Sequence, residues 1–374
     1  MRIAIIGPAY PLRGGLSTFN HRLAKEFIDL GHECTIWSFS LQYPSILFPG
    51  KTQYSDEPAP NNINIISEIN SINPLSWIKV GNKLKKQELD IVIVRYWLPF
   101  MGPALGTIIR ILKRNKKTKV VCIADNVIPH EKRIGDKIFT KYFLKSCDAF
   151  ITMSEKVMKD LRTFDNNKAT QIVEHPLYDN FGNIVSKYDA RAYLNIPQDE
   201  KIVLFFGFIR KYKGLDLLIE AMHELNKKNT NIKLLIAGEF YEDEEQYLQL
   251  IKQYNLEDKI ILHTNFIADS EVKYYLCSAD VLVQPYKNAT QSGVTPLAYY
   301  FEKPMIVTNV GGLPALVPDK KCGIIVEPNP KDIAKGIEEF FNIGEAHFIP
   351  FIRNEQQKFS WKNIADNILS LSNK

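Results

Sequence analysis

Short apolar, β-branched runs alternate along the whole chain with longer segments whose apolar positions recur every three or four residues. A brief run that is apolar on both faces reads as a buried parallel strand, and a 3.6-residue recurrence as a helix laid against it. The first series predicts strands at Ile3–Ile6, Thr35–Phe39, Ile63–Ile66, Ile91–Val94, Val120–Ile123, Phe150–Thr152 and Gln171–Glu174. Helical patterns fall between several of them, as at Leu16–Leu30 and Glu155–Thr163. Alternation of this kind predicts βα units around a parallel sheet.

Over residues 177–200 the pattern lapses into LYDNFGNIVSKYDARAYLNIPQDE, polar and rich in turn formers, which reads as an interdomain connection. A second series then predicts strands at Ile202–Phe206, Lys233–Ala237, Ile260–His263, Val281–Gln284, Met305–Thr308 and Gly323–Val326, with helical patterns at Leu215–Leu225 and Glu245–Tyr254. Two α/β series of about 180 residues each predict two doubly wound, Rossmann-like domains facing a common cleft. Their expected extents are residues 1–180 and 181–358. The last helical pattern, Trp361–Leu371, lies in a closing segment, 359–374, able to pack back on the first domain.

Composition changes this picture little. With 45% hydrophobic and 24% charged residues, the 374-residue chain has a soluble globular balance, which argues against disordered and fibrous classes. The net charge of +5 is unevenly placed: residues 1–185 hold 25 Lys+Arg against 17 Asp+Glu, or +8, and the remainder 22 against 25, or −3. The densest basic run is Lys113, Arg114, Lys116, Lys117 and Lys119. A solvated helix end is the first reading of it and an anionic membrane surface the second, with nucleic acid a distant third. Five widely spaced cysteines form no CxxC pair, so neither a zinc site nor a disulfide framework is expected, and a reducing cytoplasm fits. The apolar run opening MRIAIIGPAY is short for a signal peptide and reads as a first strand. The longest apolar stretch, Leu98 to Ile109, is interrupted by two prolines and two glycines and is too short to span a bilayer.

Ligands of open α/β sheets bind beyond the carboxyl ends of the strands, so the loops there are the candidates. Gly7 through Gly15 (GPAYPLRGG) leaves the first strand for a helix; its glycines admit close backbone approach, although it is not a GxGxxG fingerprint and a plain βα turn explains it equally well. Gly207 through Gly214 (GFIRKYKG) sets three cations after an apolar strand, a pattern suited to a pyrophosphate or a departing nucleoside diphosphate. Asn288 through Val294 (NATQSGV) opens a helix with small and hydroxyl residues, fit either for anion binding or for simple capping. Gly311-Gly312 reads as a tight turn first and as a ligand contact second.

With these residues assembled, the chain resembles glycosyltransferase family 4, retaining enzymes of the GT-B fold. The resemblance rests on GGLSTFNHRLAKEF, DNVIPHEK, FFGFIRKYKGLDLLIEA, LLIAGEF, ATQSGVTPLAYYFEKPMIVTNVGGLP and the late Phe359-Ser360-Trp361, in that order over nearly the whole chain. It implies acceptor binding by the first domain and donor binding by the second. Gly14 and Gly15 match the family's loop beside the donor phosphates, and Arg210 and Lys213 its diphosphate-binding cations. Gly238 of LLIAGEF joins the donor set, and Phe266 and Ile267 are expected to flank the nucleobase. Phe208 stands where many members carry Arg, a charge that Arg210 is placed to take over.

A larger departure concerns the two glutamates, separated by seven residues, that mark the family. Their positions here hold Ala289 and Leu297. The chain instead resembles a subgroup in which Gln291, Ser292, Gly293 and Val294 hold phosphate or sugar. In the first domain, Asp125 and His130 are the candidate catalytic residues, with helix capping the plainer reading of Asp125 and a surface or interdomain role that of His130. Arg95-Tyr96-Trp97 reads as acceptor-cleft lining or as core, and His175-Pro176 as hinge geometry.

The activity implied is transfer of a sugar, in the manner of a hexosyltransferase, from a nucleoside-diphosphate sugar to an acceptor hydroxyl with retention, without metal or other cofactor. The acceptor implied is a glycan or lipid-linked glycan of surface polysaccharide, lipopolysaccharide or glycolipid assembly. A cytoplasmic place follows, with peripheral contact at the membrane's cytoplasmic face and no nucleic-acid partner. The missing glutamates keep a catalytically inactive GT-B protein, binding nucleotide sugar or regulating another enzyme, as the alternative.

Overall fold

The computed structural model describes residues 1–44, 48, 52–129, 133–289 and 292–372, and the chain divides into two compact units. Unit 1 is Met1–Pro176 together with Ser360–Lys374, and unit 2 is Leu177–Phe359.

Unit 1 carries β1 (Arg2–Ile6), β2 (Glu33–Leu41), β3 (Asn64–Asn70), β4 (Ile91–Tyr96), β5 (Lys119–Ala124), β6 (Ala149–Thr152) and β7 (Ala169–Ile172). They pair in parallel in the order β3-β2-β1-β4-β5-β6-β7, so the order reverses between β1 and β4. Helices α1 (Gly15–Asp29), α2 (Pro74–Lys86), α3 (Gly102–Leu112), α4 (Asp136–Leu144) and α5 (Glu155–Arg162) connect them. β4 from Ile91 to Val94 and β5 from Val120 to Ala124 are unbroken apolar runs because helices cover both sheet faces. Ile6, Val94, Tyr96, Leu105, Ile109, Phe143 and Phe150 fill one core. β3 extends past Ile66 to Asn70, and β7 starts at Ala169, earlier than the apolar pattern indicates, because pairing with Ala149–Thr152 sets its register.

Unit 2 carries β8 (Lys201–Phe206), β9 (Ile232–Ala237), β10 (Ile260–His263), β11 (Val281–Gln284), β12 (Met305–Thr308) and β13 (Gly323–Val326), parallel in the order β10-β9-β8-β11-β12-β13. Here the reversal falls between β8 and β11. The helices are α6 (Lys187–Tyr193), α7 (Leu215–Asn226), α8 (Glu245–Gln253), α9 (Val272–Ser278), α10 (Val294–Tyr300), α11 (Leu313–Leu316), α12 (Pro330–Ile343) and α13 (Glu345–Glu355). The segment 177–200 corrects the expectation of a connection, because it belongs to unit 2 and holds α6. Ser186 caps α6 by accepting from Asp189 N, and the buried Arg191 ties it to Ser278 O and to the Asp280 carboxylate at 3.1 Å.

The last helix, α14 (Trp361–Ser372), packs in unit 1 on α1 and over β5, β6 and β7. Trp361, Ile364, Ala365 and Ile368 are its buried side, with Trp361 against Phe19 at a ring-centroid distance of 4.8 Å. No helix among the described residues is long and apolar enough to cross a membrane.

Candidate functional site

In unit 2 the crevice expected of such a sheet lies beyond the carboxyl ends of β8 and β11. Two glycines shape it. Gly238, after β9, has φ +143°, and a Cβ there would stand 2.4 Å from Gly207 O, so only a bare backbone lets the two loops touch. Gly214 has φ +69°, and its missing Cβ would stand 2.0 Å from Pro285 O, which locks the turn Lys211–Lys213 against the end of β11.

That turn aims Lys213 inward. Only 8% of the residue is exposed, its ammonium lies 5.9 Å from the centre of the Tyr286 ring, and no carboxylate pairs with it among the described residues. Burial, helped by the nearby Arg210 guanidinium, pulls its pKa down to about 7. A cation placed this way is short of an anion. Arg210 itself is exposed and lies over the Tyr241 ring at 5.0 Å. Phe208 packs on Tyr241 and faces Phe266 at 6.1 Å, so Phe266 joins an aromatic group beside the cations, while Ile267 is half-buried next to it in sequence.

Across the crevice, Ser292 is buried, and its hydroxyl accepts from Val294 N at 3.2 Å and lies 3.3 Å from the Tyr286 hydroxyl. Ser292 therefore holds the first N–H of α10 from one residue ahead of its N-cap, Gly293, while also standing at the crevice wall. A Val294 methyl approaches within 3.7 Å of where a Gly207 Cβ would be, so Gly207, Lys213 and Val294 converge. Gly293 has ordinary φ, and a Cβ there would meet nothing closer than Tyr178 at 3.8 Å, so packing does not require glycine. Ala289 and Leu297 are buried, at 2% and 4% exposure, and Gly311 presses on Ala289 O, which makes Gly311 scaffold. Tyr286 is the site residue that sequence reasoning passed over; its only signal was its place just after a strand end at the reversal point.

Unit 1 has its own polar cluster beyond β4 and β5. Arg95, buried, donates Nε and Nη2 to the two Asp125 oxygens at 2.5 Å each and lies 3.7 Å from the Phe19 ring centre. Burial raises the Asp125 pKa against the opposing pull of Arg95. Arg95 Nη1, Asn20 Oδ1, Ser17 Oγ and Asn126 Oδ1 are buried without a partner among the described residues. His175 is kept neutral, its pKa pulled down to about 3 chiefly by burial. Of Arg95-Tyr96-Trp97, Arg95 joins this cluster and Tyr96 joins the core, its hydroxyl 2.9 Å from Thr140 Oγ1. Trp97 donates to the Tyr43 hydroxyl at 2.6 Å. Gly14, with φ +104°, starts α1, and Gly15 is its first residue. His130 and Gln291 lie outside the described residues. Among the described residues no group of three His, Cys, Asp or Glu is arranged to hold a metal ion.

Comparison with known proteins gives a consistent picture. Residues 13–174 match the domain described as Glycosyltransferase Family 4, and residues 186–350 that described as Glycosyl transferases group 1. An uncharacterized glycosyltransferase of Methanocaldococcus jannaschii is 25% identical, over 99% of this chain and 97% of its own. The solved sucrose-phosphate synthase of Thermosynechococcus elongatus superposes with a TM-score of 0.77 at 18% identity, covering 99% of this chain and 98% of that one. Anabaena HepE, solved with UDP and glucose, gives 0.73 at 16% identity, covering 99% and 100%. The two Rossmann-like units are those of the GT-B fold.

Proposed function

Since its two units match a family 4 and a group 1 glycosyltransferase domain, we propose that this chain transfers a hexosyl unit from a nucleoside-diphosphate sugar to an acceptor hydroxyl, with retention of configuration. The observation that carries the reading is Lys213, a buried ammonium with no carboxylate partner among the described residues, at the strand end where this fold binds ligands. A diphosphate supplies the missing anion. As the glycosidic bond breaks, negative charge grows on the leaving diphosphate, and Lys213 with Arg210 offsets it in place of a metal. The sugar passes through an oxocarbenium-like state. Asp125, held by Arg95, is the group proposed to orient a reacting hydroxyl, and UDP, the nucleotide bound by HepE, is the one to try first. Surface polysaccharide or glycolipid assembly suits the basic balance of residues 1–185.

A second reading, a nucleotide-sugar-binding protein without turnover, is favoured by Ala289 and Leu297, apolar and buried where the family carries glutamates. One experiment separates the two. The full chain is titrated with UDP-, GDP- and ADP-sugars, and nucleotide release is followed with and without membrane lipid extract. Binding weakened roughly ten- to a hundredfold by Arg210→Ala and by Lys213→Ala, with release only in the presence of acceptor, supports the transferase. The anomeric configuration of the product then tests retention. Tight binding without release under every acceptor condition supports the second reading, and no binding of any nucleotide sugar overturns both.

A further inference from the structure

The basic run at residues 113–119 is partly neutralised in the fold: Lys113 pairs with Asp148 and Lys117 with Glu88. Several cations of other helices are partnered too, Arg22 with Glu26, Lys25 with Asp29, and Lys83 with Glu68, while Lys85 and Lys86 of α2 and Lys156 and Lys159 of α5 are exposed without an ion pair among the described residues. Along α4 and just beyond its ends, Arg133, Lys137, Lys141 and Lys145 are exposed, and none makes an ion pair among the described residues. The acid of this segment, Asp136, accepts from the backbone N of Arg133.

Positions four apart share a helix face, so Lys137, Lys141 and Lys145 form one stripe. Ile138 and Tyr142 form the adjacent one, with Ile134 in the turn just ahead. The inward face is Thr140, Phe143 and Leu144, all buried. Ile134 is fully exposed and Ile138 is 72% exposed, an arrangement with no packing role inside unit 1. Tyr142 is half anchored, its ring under the Arg110 guanidinium at 3.7 Å and its hydroxyl 2.9 Å from Thr107 Oγ1.

Exposed aliphatic side chains rimmed by unpaired lysines complement an anionic lipid surface, whose headgroups meet the ammonium groups while the aliphatic tips enter the acyl boundary. We propose that the Arg133–Lys145 segment, centred on α4, is where this protein docks on an anionic bilayer. Asp125 stands at the start of the stretch of chain that joins β5 to α4, so the proposed docking face and the carboxyl end of β5 belong to one unit. Docking itself needs no donor and no turnover, so it stands or falls apart from the proposed transfer.

The test is co-sedimentation of the full chain with vesicles of phosphatidylcholine, alone or with about one third phosphatidylglycerol, at low and high salt. Binding to the anionic vesicles only, lost at high salt, is expected. Each lysine at such a surface is worth roughly fivefold in partitioning, so Lys137→Gln, Lys141→Gln and Lys145→Gln together lower it about a hundredfold. Ile134→Ser with Ile138→Ser lowers it about tenfold at constant charge. Both variants keep the wild-type melting temperature and UDP affinity, because every changed side chain is exposed and outside the donor crevice. Equal binding to neutral vesicles, no binding to anionic ones, or partitioning unmoved by the lysine changes overturns the proposal.

Discussion

Lys213 carries the residue-scale argument because its ionisation is tied both to folding and to ligand. Its pKa is about 7 in the folded chain against 10.5 in an open one, through burial first and Arg210 second. Between those values the unfolded chain binds more protons, so stability rises with pH across that window, and the penalty for charging Lys213 is fully present below it. A bound diphosphate reverses the preference and draws a proton onto the neutral Lys213 amine, which becomes the ammonium. UDP affinity should therefore fall as pH rises above about 7, at most about tenfold per unit, while Lys213→Met flattens that slope and raises the melting temperature of the free protein at neutral pH. Calorimetric titration with UDP from pH 7 to 9 checks this; a wild-type slope no steeper than that of the variant would exclude it. Arg210 and Lys213 were legible from their types and their place after a strand. Tyr286 and the buried orphan atoms of Arg95 and Asn20 were not, because burial depends on what the rest of the chain packs over them.

At the scale of elements, the donor crevice is a consequence of β11 lying beside β8, which brings the loops after two strands distant in sequence to one place. The contact of Gly238 with Gly207 holds the floor of that crevice. Gly238→Ala places a side chain at φ +143° against Gly207 O, which should destabilise unit 2 by about 2–4 kcal/mol and weaken UDP binding with it. Urea unfolding monitored together with UDP titration tests this, and unchanged values for both would show that the loops separate without cost. Strands were read well because an apolar run of four to six residues is distinctive when both sheet faces are covered. α6 was missed because a seven-residue helix offers too few turns for periodicity to stand out, and its anchor, Arg191 on Asp280, is a tertiary contact.

At the scale of the whole molecule, the chain leaves unit 1 at Pro176, builds unit 2, and returns to unit 1 through α14. Trp361, Ile364 and Ile368 are buried there, so truncation after Phe359 should destabilise unit 1 on the order of 5 kcal/mol while leaving the unfolding of unit 2 in place. Differential scanning calorimetry of the truncated and full chains shows it as one transition moved down and the other unmoved; a joint shift would contradict the division. The amino-acid sequence by itself determined the alternation of strands and helices, the presence of two α/β series and the chemistry of the loop after β8, since these are written in local periodicity and residue type. Tertiary structure alone decided which strand ends become neighbours, that Lys213 is buried without a carboxylate among the described residues while Lys113 is paired, and that on α4 the lysines stand beside exposed Ile138. Each of those outcomes is a matter of desolvation and contact between residues far apart in the chain, which no local pattern encodes.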